Sequence, residues 1–265
     1  MRGAPVPLRG HERAVILAAL AGVAALSWLY LWLGARDMAM TGAETGDGAM
    51  AGMMMSMEPR PWGVAEAGLA FVMWWVMMVG MMLPSATPMI LTFATVNRNK
   101  RARGRPFVPT AMFAAGYLMA WGGFSLAAAA LQSGLGRAAL MSPAMQTTSA
   151  PLAAALFLAA GLYQLTPVKS ACLAKCRSPV DFVLNTWRDG RAGALRMGLG
   201  HGFHCLGCCW VLMLLLFVGG AMNLPWAAAI TVFVLAEKLI PGGRWIARVS
   251  GVLMLGVGIR LLLQG

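Results

Sequence analysis

Long apolar segments separated by short basic loops constrain this sequence most. A helix needs about 20 consecutive, mainly apolar residues to cross the hydrocarbon core of a bilayer, and several segments of the chain reach that length. Only 11% of the residues are charged, whereas soluble domains carry about 25%. Because the bilayer core offers no water, backbone polar groups must be satisfied inside helices. The sequence therefore predicts an all-α, polytopic transmembrane helical bundle.

The apolar segments predict about seven spans. Residues 1–34 should form a cytoplasmic N-terminus and a first helix, which we expect to be retained because its apolar run exceeds the roughly 7 to 15 residues of a signal peptide. Residues 35–61 should form an extracytoplasmic, methionine-rich loop, and residues 62–265 a six-helix transmembrane domain. Pro84 and Pro88 each remove a backbone donor, so we expect the second span to be broken there.

The basic residues predict the orientation of the chain. Seventeen of the 21 lysines and arginines fall on one side of this threading, and the positive-inside rule makes that side cytoplasmic. The N-terminus is then cytoplasmic as well. The net charge of +12 therefore reflects topology, and it does not indicate a nucleic-acid partner.

Five potential metal ligands lie at the start of one apolar segment. His201, His204, Cys205 and Cys208 are spaced i, i+3, i+4 and i+7, which places two imidazoles and two thiols on one helical face. Cys209 borders that face. Coordinating side chains are costly to leave unpaired within a membrane, so by default they mark a functional site.

Two further cysteines, Cys172 and Cys176, are spaced i, i+4, so one helical turn presents both sulfurs. All five cysteines of the chain lie near the predicted cytoplasmic side. A reducing compartment disfavours structural disulfides, and an odd number cannot pair completely within the chain. Metal binding or redox chemistry is therefore the better explanation for them.

Methionine supplies a second set of soft ligands. The predicted outer loop holds seven thioethers that have no core to fill: Met38, Met40, Met50, Met53, Met54, Met55 and Met57. In the second span, Met73, Met77 and Met81 repeat at i, i+4 and i+8 and form a stripe between the loop and the cysteines. Such a stripe is also typical of packing, because methionine is an adaptable core residue.

Copper explains the thioethers and the thiolates together, since both select Cu(I). Zinc, the second candidate, would be satisfied by cysteine and histidine and would leave the methionines unexplained. We expect Cu(I) to be collected by the loop, to pass along the stripe, and to be held for transport or for donation to a metallochaperone or a copper enzyme under assembly. The predicted inner ligands are Cys172, Cys176, His201, His204, Cys205, Cys208 and Cys209.

Two alternatives remain open from the residues. A membrane thiol–disulfide carrier could use Cys205 and Cys208, which form a C-x-x-C pair, with Cys172 and Cys176 as partners. That function gives the histidines and methionines no necessary role. A membrane metalloenzyme is the other alternative, but no H-E-x-x-H, phosphate-loop or Ser/His/Asp pattern is present. A metal-binding or transport protein is favoured over an enzyme.

Glu237 and Lys238 end the predicted sixth span. Glu237 could pair with an arginine or support a ligating histidine, but an interfacial carboxylate beside a lysine whose ammonium extends to the headgroup level is the plainer expectation.

Three motifs carry a resemblance to a known family. The first runs MWWVMMVGMMLPS over Met73–Ser85 and is followed by Pro88; the second runs YQLTPVK over Tyr163–Lys169 and is followed by Cys172, Cys176 and Pro179. The third includes Gly202 and CLGCCW over Cys205–Trp210, followed by GGAMN over Gly219–Asn223 and by Glu237 and Lys238. On these motifs the chain resembles the uncharacterised family of bacterial predicted metal-binding integral membrane proteins, domain of unknown function 2182.

The resemblance covers about residues 65 to 260. It implies a multi-span membrane protein, which we expect in the bacterial inner membrane, and it supports the cysteine cluster as the signature of the family. It implies no reaction, and the methionine loop lies outside the matching motifs.

Overall fold

The computed structural model describes residues 8–44, 63–102, 104, 108–142 and 145–264. Helices make up most of these residues: α1 (Gly10–Glu44), α2 (Val64–Arg101), α3 (Thr110–Arg137), α4 (Ala150–Gln164), α5 (Pro167–Arg177), α6 (Pro179–Asn185), α7 (Gly190–Leu214), α8 (Leu216–Gly219), α9 (Leu224–Leu239) and α10 (Gly243–Gln264). Strand pairing in the described ranges is limited to one isolated bridge, between Met141 and Thr147. The predicted all-α bundle is confirmed.

Five helical segments of the described chain are long and apolar enough to cross a membrane: Gly10–Asp37, Val64–Arg101, Thr110–Arg137, Gly190–Gly219 and Gly243–Gln264. Helices α4 and α5 qualify together, but they are bent by 65° at their junction, and counting this pair gives six spans. The sequence predicted about seven. The remaining predicted span is α9, whose 16 residues fall short of the roughly 20 that a span needs.

Helix α2 runs without interruption from Val64 to Arg101, so the predicted break at Pro84 and Pro88 is wrong. Pro84 has no N–H for the carbonyl of Gly80, one turn earlier. The indole N–H of Trp28, on α1, donates to that carbonyl oxygen at 3.3 Å. A neighbouring helix thus replaces the missing donor, as proline within a membrane helix requires.

Helix α1 continues to Glu44, so the first part of the predicted loop 35–61 is helical. Met38 and Met40 belong to this helical extension. The other methionines assigned to the loop lie outside the described residues: Met50, Met53, Met54, Met55 and Met57.

Side-chain N-caps define where α5 and α9, two helices that position the site, begin. The hydroxyl of Thr166 accepts a hydrogen bond from the backbone N–H of Lys169 at 3.2 Å, and a proline follows at the first helical position, so α5 begins there. Asn223 caps α9 in the same way by accepting from the N–H of Trp226 at 3.2 Å. Both caps satisfy donors that the first helical turn leaves unpaired.

Helices α3 and α7 form a close interface through small residues. A Cβ atom at Gly198 of α7 would collide with the backbone of Phe113, and one at Gly116 of α3 would collide with the backbone of Leu195. Small residues allow this approach between membrane helices. The backbone contact fixes α7 against α3, while α7 also packs against α5 and α9.

Candidate metal centre

Helix α7 carries five of the predicted ligands and buries four of them. His201 is 3% exposed, and Cys205, Cys208 and Cys209 are each 1% exposed. His204 is half-buried at the edge of this face. The i, i+4, i+7 spacing from residue 201 to residue 208 therefore defines the inward face, and the neighbouring position 209 extends it.

The thiols of this face are held by hydrogen bonds within their own helix. Cys208 Sγ donates to the backbone carbonyl of Cys205 at 3.1 Å, and Cys209 Sγ donates to the same oxygen at 3.0 Å. Cys209 Sγ also lies 3.9 Å from the thioether sulfur of Met82 on α2. A soft ligand from another helix thus contacts the cysteine face.

Helix α5 brings the remaining two cysteines against the same part of α7. The thiol of Cys176 lies beside those of Cys205 and Cys208, close enough for the three groups to interact electrostatically. The sulfur of Cys172 packs on Gly207, 2.6 Å from where a Cβ of that residue would stand. All five cysteines are thiols rather than disulfides. The two cysteine pairs, separate in sequence, are therefore neighbours in the fold.

A lysine enters the cysteine cluster from α9. Lys238 is 6% exposed, and its ammonium donates to Cys205 Sγ at 3.0 Å and to Ser85 Oγ at 2.9 Å. The Tyr117 hydroxyl stands 3.2 Å from the same sulfur and donates to the carbonyl of Met82 at 3.0 Å. Cys205 is therefore the point at which α2, α3, α7 and α9 meet.

The residue before this lysine belongs to a different buried network. Glu237 is 1% exposed, and its carboxylate accepts from Lys169 Nζ at 2.7 and 2.9 Å and from Gln164 Nε2 at 3.0 Å. Gln164 also donates to Ser250, and Arg177 donates to the backbone carbonyl of Glu237 at 2.8 Å. The expectation of an interfacial Glu237 beside an extended lysine is wrong, because both side chains point inward to buried partners.

The two predicted histidine ligands have different surroundings. His201 packs among aromatic rings, with ring centroids 5.4 Å from Tyr117 and 5.6 Å from Phe182, and its Nδ1 has no hydrogen-bond partner within the described chain. His204 Nδ1 stands 2.7 Å from the carbonyl oxygen of Gly200. His201, one turn before Cys205, is thus the histidine with an uncommitted ring nitrogen next to the thiols.

The predicted methionine stripe lies inside the bundle. Met77 and Met81 are fully buried and Met73 is 7% exposed. The thioether in contact with a thiol is that of Met82, which borders the stripe. Among the described residues, no group of three or more His, Cys, Asp or Glu side chains is arranged to hold a single metal ion. The assignment of the stripe and of the cysteine–histidine set as ligands stays a prediction.

A match to a protein-family model identifies the family to which this chain belongs. A model of the family described as copper chaperone, PpoB2, matches residues 71–261. The chain belongs to this copper chaperone family. The match supports a copper-related family, although not under the name suggested by the motifs, domain of unknown function 2182. No curated protein and no solved structure matches the chain.

The region matched by the copper chaperone family spans all five cysteines, Lys238 and the helices from most of α2 to most of α10. It leaves out α1 and the predicted methionine loop. The cysteine cluster thus belongs to the part of the chain that defines the family.

Three polar side chains of the site were not assigned to it from the sequence: Ser85, Tyr117 and Lys238. Lys238 was expected to extend to the headgroup level, because lysines near the end of an apolar segment commonly do so. Nothing in the local sequence indicates that the lysine contacts a cysteine 33 positions earlier. Chemically, the assembled site offers thiols, one adjacent thioether and one cation within an apolar interior, and sulfur ligands of these two kinds suit a soft metal ion.

Proposed function

We propose that the protein binds Cu(I) as cargo at the cysteine cluster and donates it to a partner protein. The observation that carries the proposal is the packing of α5 on α7, which sets Cys172 against Gly207 and places Cys176 beside the thiols of Cys205 and Cys208. Thiols from two helices can enclose an ion that one helix alone would leave exposed. Membership of the copper chaperone family favours donation over transport as the purpose of binding.

The chemistry of the donors supports Cu(I) over Zn(II). Structural zinc sites use four cysteine or histidine ligands in a tetrahedral arrangement, whereas thiolates combined with a thioether suit Cu(I). Met82 offers such a thioether 3.9 Å from Cys209 Sγ. His201 Nδ1 is a further donor available next to the cluster.

The route to the cluster in this proposal follows α2. Met73, Met77 and Met81 lead along the helix that carries Met82, so the thioethers would pass Cu(I) inward toward the thiols. The methionines of residues 35–61 would collect it outside. We place the protein in the bacterial inner membrane with the N-terminus in the cytoplasm, because the basic loops then face the cytoplasm.

The test is Cu(I) binding by the full chain in detergent under anaerobic conditions, measured by competition with a chromophoric Cu(I) chelator. The double variant Cys205→Ser/Cys208→Ser should lose the bound copper, since serine keeps the size of cysteine but removes the soft sulfur. Unchanged copper content in this variant would overturn the proposal.

A matched pair of methionine variants tests the thioether. Met82→Leu should weaken Cu(I) binding, whereas Met78→Leu, at an equally buried position one turn earlier on α2, should not. Equal effects of the two substitutions would show that the Met82 sulfur contributes packing only.

The thiol–disulfide carrier is the competing function, because the Cys176 contacts would also suit disulfide exchange. A carrier passes through mixed disulfides with a thioredoxin-like protein. A Cys208→Ser variant should trap no such species if Cu(I) is the cargo. An abundant trapped disulfide together with absent copper binding would favour the carrier.

A further inference from the structure

Lys238 is a buried cation in contact with a thiol. Its ammonium donates to Cys205 Sγ and Ser85 Oγ, and the residue is 6% exposed. Glu237, its neighbour in the chain, directs both carboxylate oxygens to Lys169. In the part of the chain that the structure describes, no carboxylate forms an ion pair with Lys238.

An ammonium in an apolar interior is costly unless a negative charge lies beside it. A thiolate at Cys205 supplies that charge, and Cu(I) binding generates thiolates because metal ligation requires deprotonated cysteine. The lysine thus stands where negative charge appears when the cluster is loaded.

We infer that Lys238 is the fixed counter-cation of the copper site and restricts the cluster to a monovalent ion held by two thiolates. The inference rests on the proposed function and assigns Lys238 a positioning and selecting role, not a ligand role. When two thiols lose their S–H protons to solvent and two copper–sulfur bonds form, the Cu(I)–dithiolate unit carries a charge of −1. The ammonium of Lys238 adds a charge of +1, so the net charge of the Cu(I)–dithiolate unit and the lysine together is zero.

A divalent ion does not reach this balance with the same groups. Two thiolates and one ammonium leave a Zn(II) or Cd(II) site with a net charge of +1 in the apolar interior. Neutrality would take a third thiolate. Cys176, Cys205 and Cys208 are neighbours, but these three are not arranged to hold one ion together, and no other set of three His, Cys, Asp or Glu side chains in the described residues is. Lys238 therefore favours an ion of charge +1 over a divalent ion, while the cysteine sulfurs favour soft ions over hard ones.

Ag(I) and Cd(II) are the probes that separate these two kinds of selection, because both are thiophilic d¹⁰ ions and they differ in charge. The wild-type protein should bind Ag(I) at the cluster about 10- to 100-fold more tightly than Cd(II), a preference of the size that one polar partner of a metal ligand provides. Comparable binding of the two ions by the wild type would overturn the inference.

Three variants test the role of the charge. Lys238→Met keeps the length of the side chain without its charge and should weaken Cu(I) and Ag(I) binding about 10- to 100-fold, without weakening Cd(II) binding. Lys238→Arg keeps the charge and should stay within a few-fold of wild type. Ser125→Ala removes a buried hydroxyl of α3 that donates to the backbone carbonyl of Trp121; it serves as the control and should leave metal binding unchanged.

The outcomes distinguish the inference from the proposed function. Uptake of neither Cu(I) nor Ag(I) by the wild type would overturn the proposed function. Wild-type uptake that Lys238→Met leaves unchanged would overturn the counter-cation role alone. Should Lys238→Met not fold, as judged by thermal unfolding, the Ag(I) against Cd(II) comparison on the wild type and Lys238→Arg decides the question.

Discussion

Removing the charge of Glu237 tests how far the fold depends on the buried ion pair with Lys169. The two side chains are 2% and 1% exposed, and the shortest N–O distance is 2.7 Å. In Glu237→Gln an amide N–H₂ replaces one acceptor oxygen, so a donor faces the ammonium. Breaking a buried pair by removing one partner costs about 3–5 kcal/mol, because the other charge stays buried and uncompensated.

The cost should be measured as the change in free energy of unfolding by SDS titration in mixed micelles. A loss of about 3 kcal/mol corresponds to more than a hundredfold change in the unfolding equilibrium. The matched control is Glu12→Gln, which breaks the pair between Glu12 and Arg98. Those side chains are 37% and 26% exposed, so the control should cost less than about 1 kcal/mol.

The result that would refute this reasoning is a Glu237→Gln cost no larger than that of Glu12→Gln. The double variant Lys169→Met/Glu237→Met should recover part of the loss, since replacing both members of a buried pair by apolar residues is often neutral. Because Lys169 lies one turn before Cys172 on α5, the single variant should also weaken Cu(I) binding, measured by chelator competition.

Three further predictions concern helix contacts. Trp28→Phe should destabilise the fold by about 1–3 kcal/mol in the same SDS titration, because the carbonyl of Gly80 loses its donor; an unchanged midpoint would contradict this. Gly207→Val should displace Cys172 and raise its rate of maleimide labelling, whereas an unaltered rate would show that α5 adjusts freely. Gly198→Val should abolish the stable fold, seen as loss of cooperative thermal unfolding, since the new side chain meets the backbone of Phe113; a wild-type melting temperature would argue against the close α3–α7 interface.

The parts of the fold that follow from local pattern were predictable. Apolar length alone gives the helices, and the spacing of residues 201 to 208 gives the inward face of α7. The close cysteines of α5 and α7 were expected as a shared pocket, and the structure brings Cys176 to Cys205 and Cys208. Whether they bind a metal is a separate prediction.

The parts that depend on distant partners were not predictable. Pro84 predicts a break by local rules, and only the position of Trp28 on another helix explains why α2 continues. Lys169 was counted with the basic residues of the cytoplasmic side, although the structure buries it against Glu237. Proline and lysine each have a local preference, and a tertiary contact overrides it in both cases.

The direct backbone contact between α3 and α7 limits which part of the cysteine cluster can change position. Gly116 and Gly198 leave no room for a side chain between the two helices. Helix α7 therefore cannot rotate or slide without unpacking from α3, and this contact fixes the positions of Cys205 and Cys208. Helix α5, which carries Cys176, takes no part in this glycine contact. In the proposed function, Cys176 is then the thiol whose position can change without disturbing the α3–α7 contact.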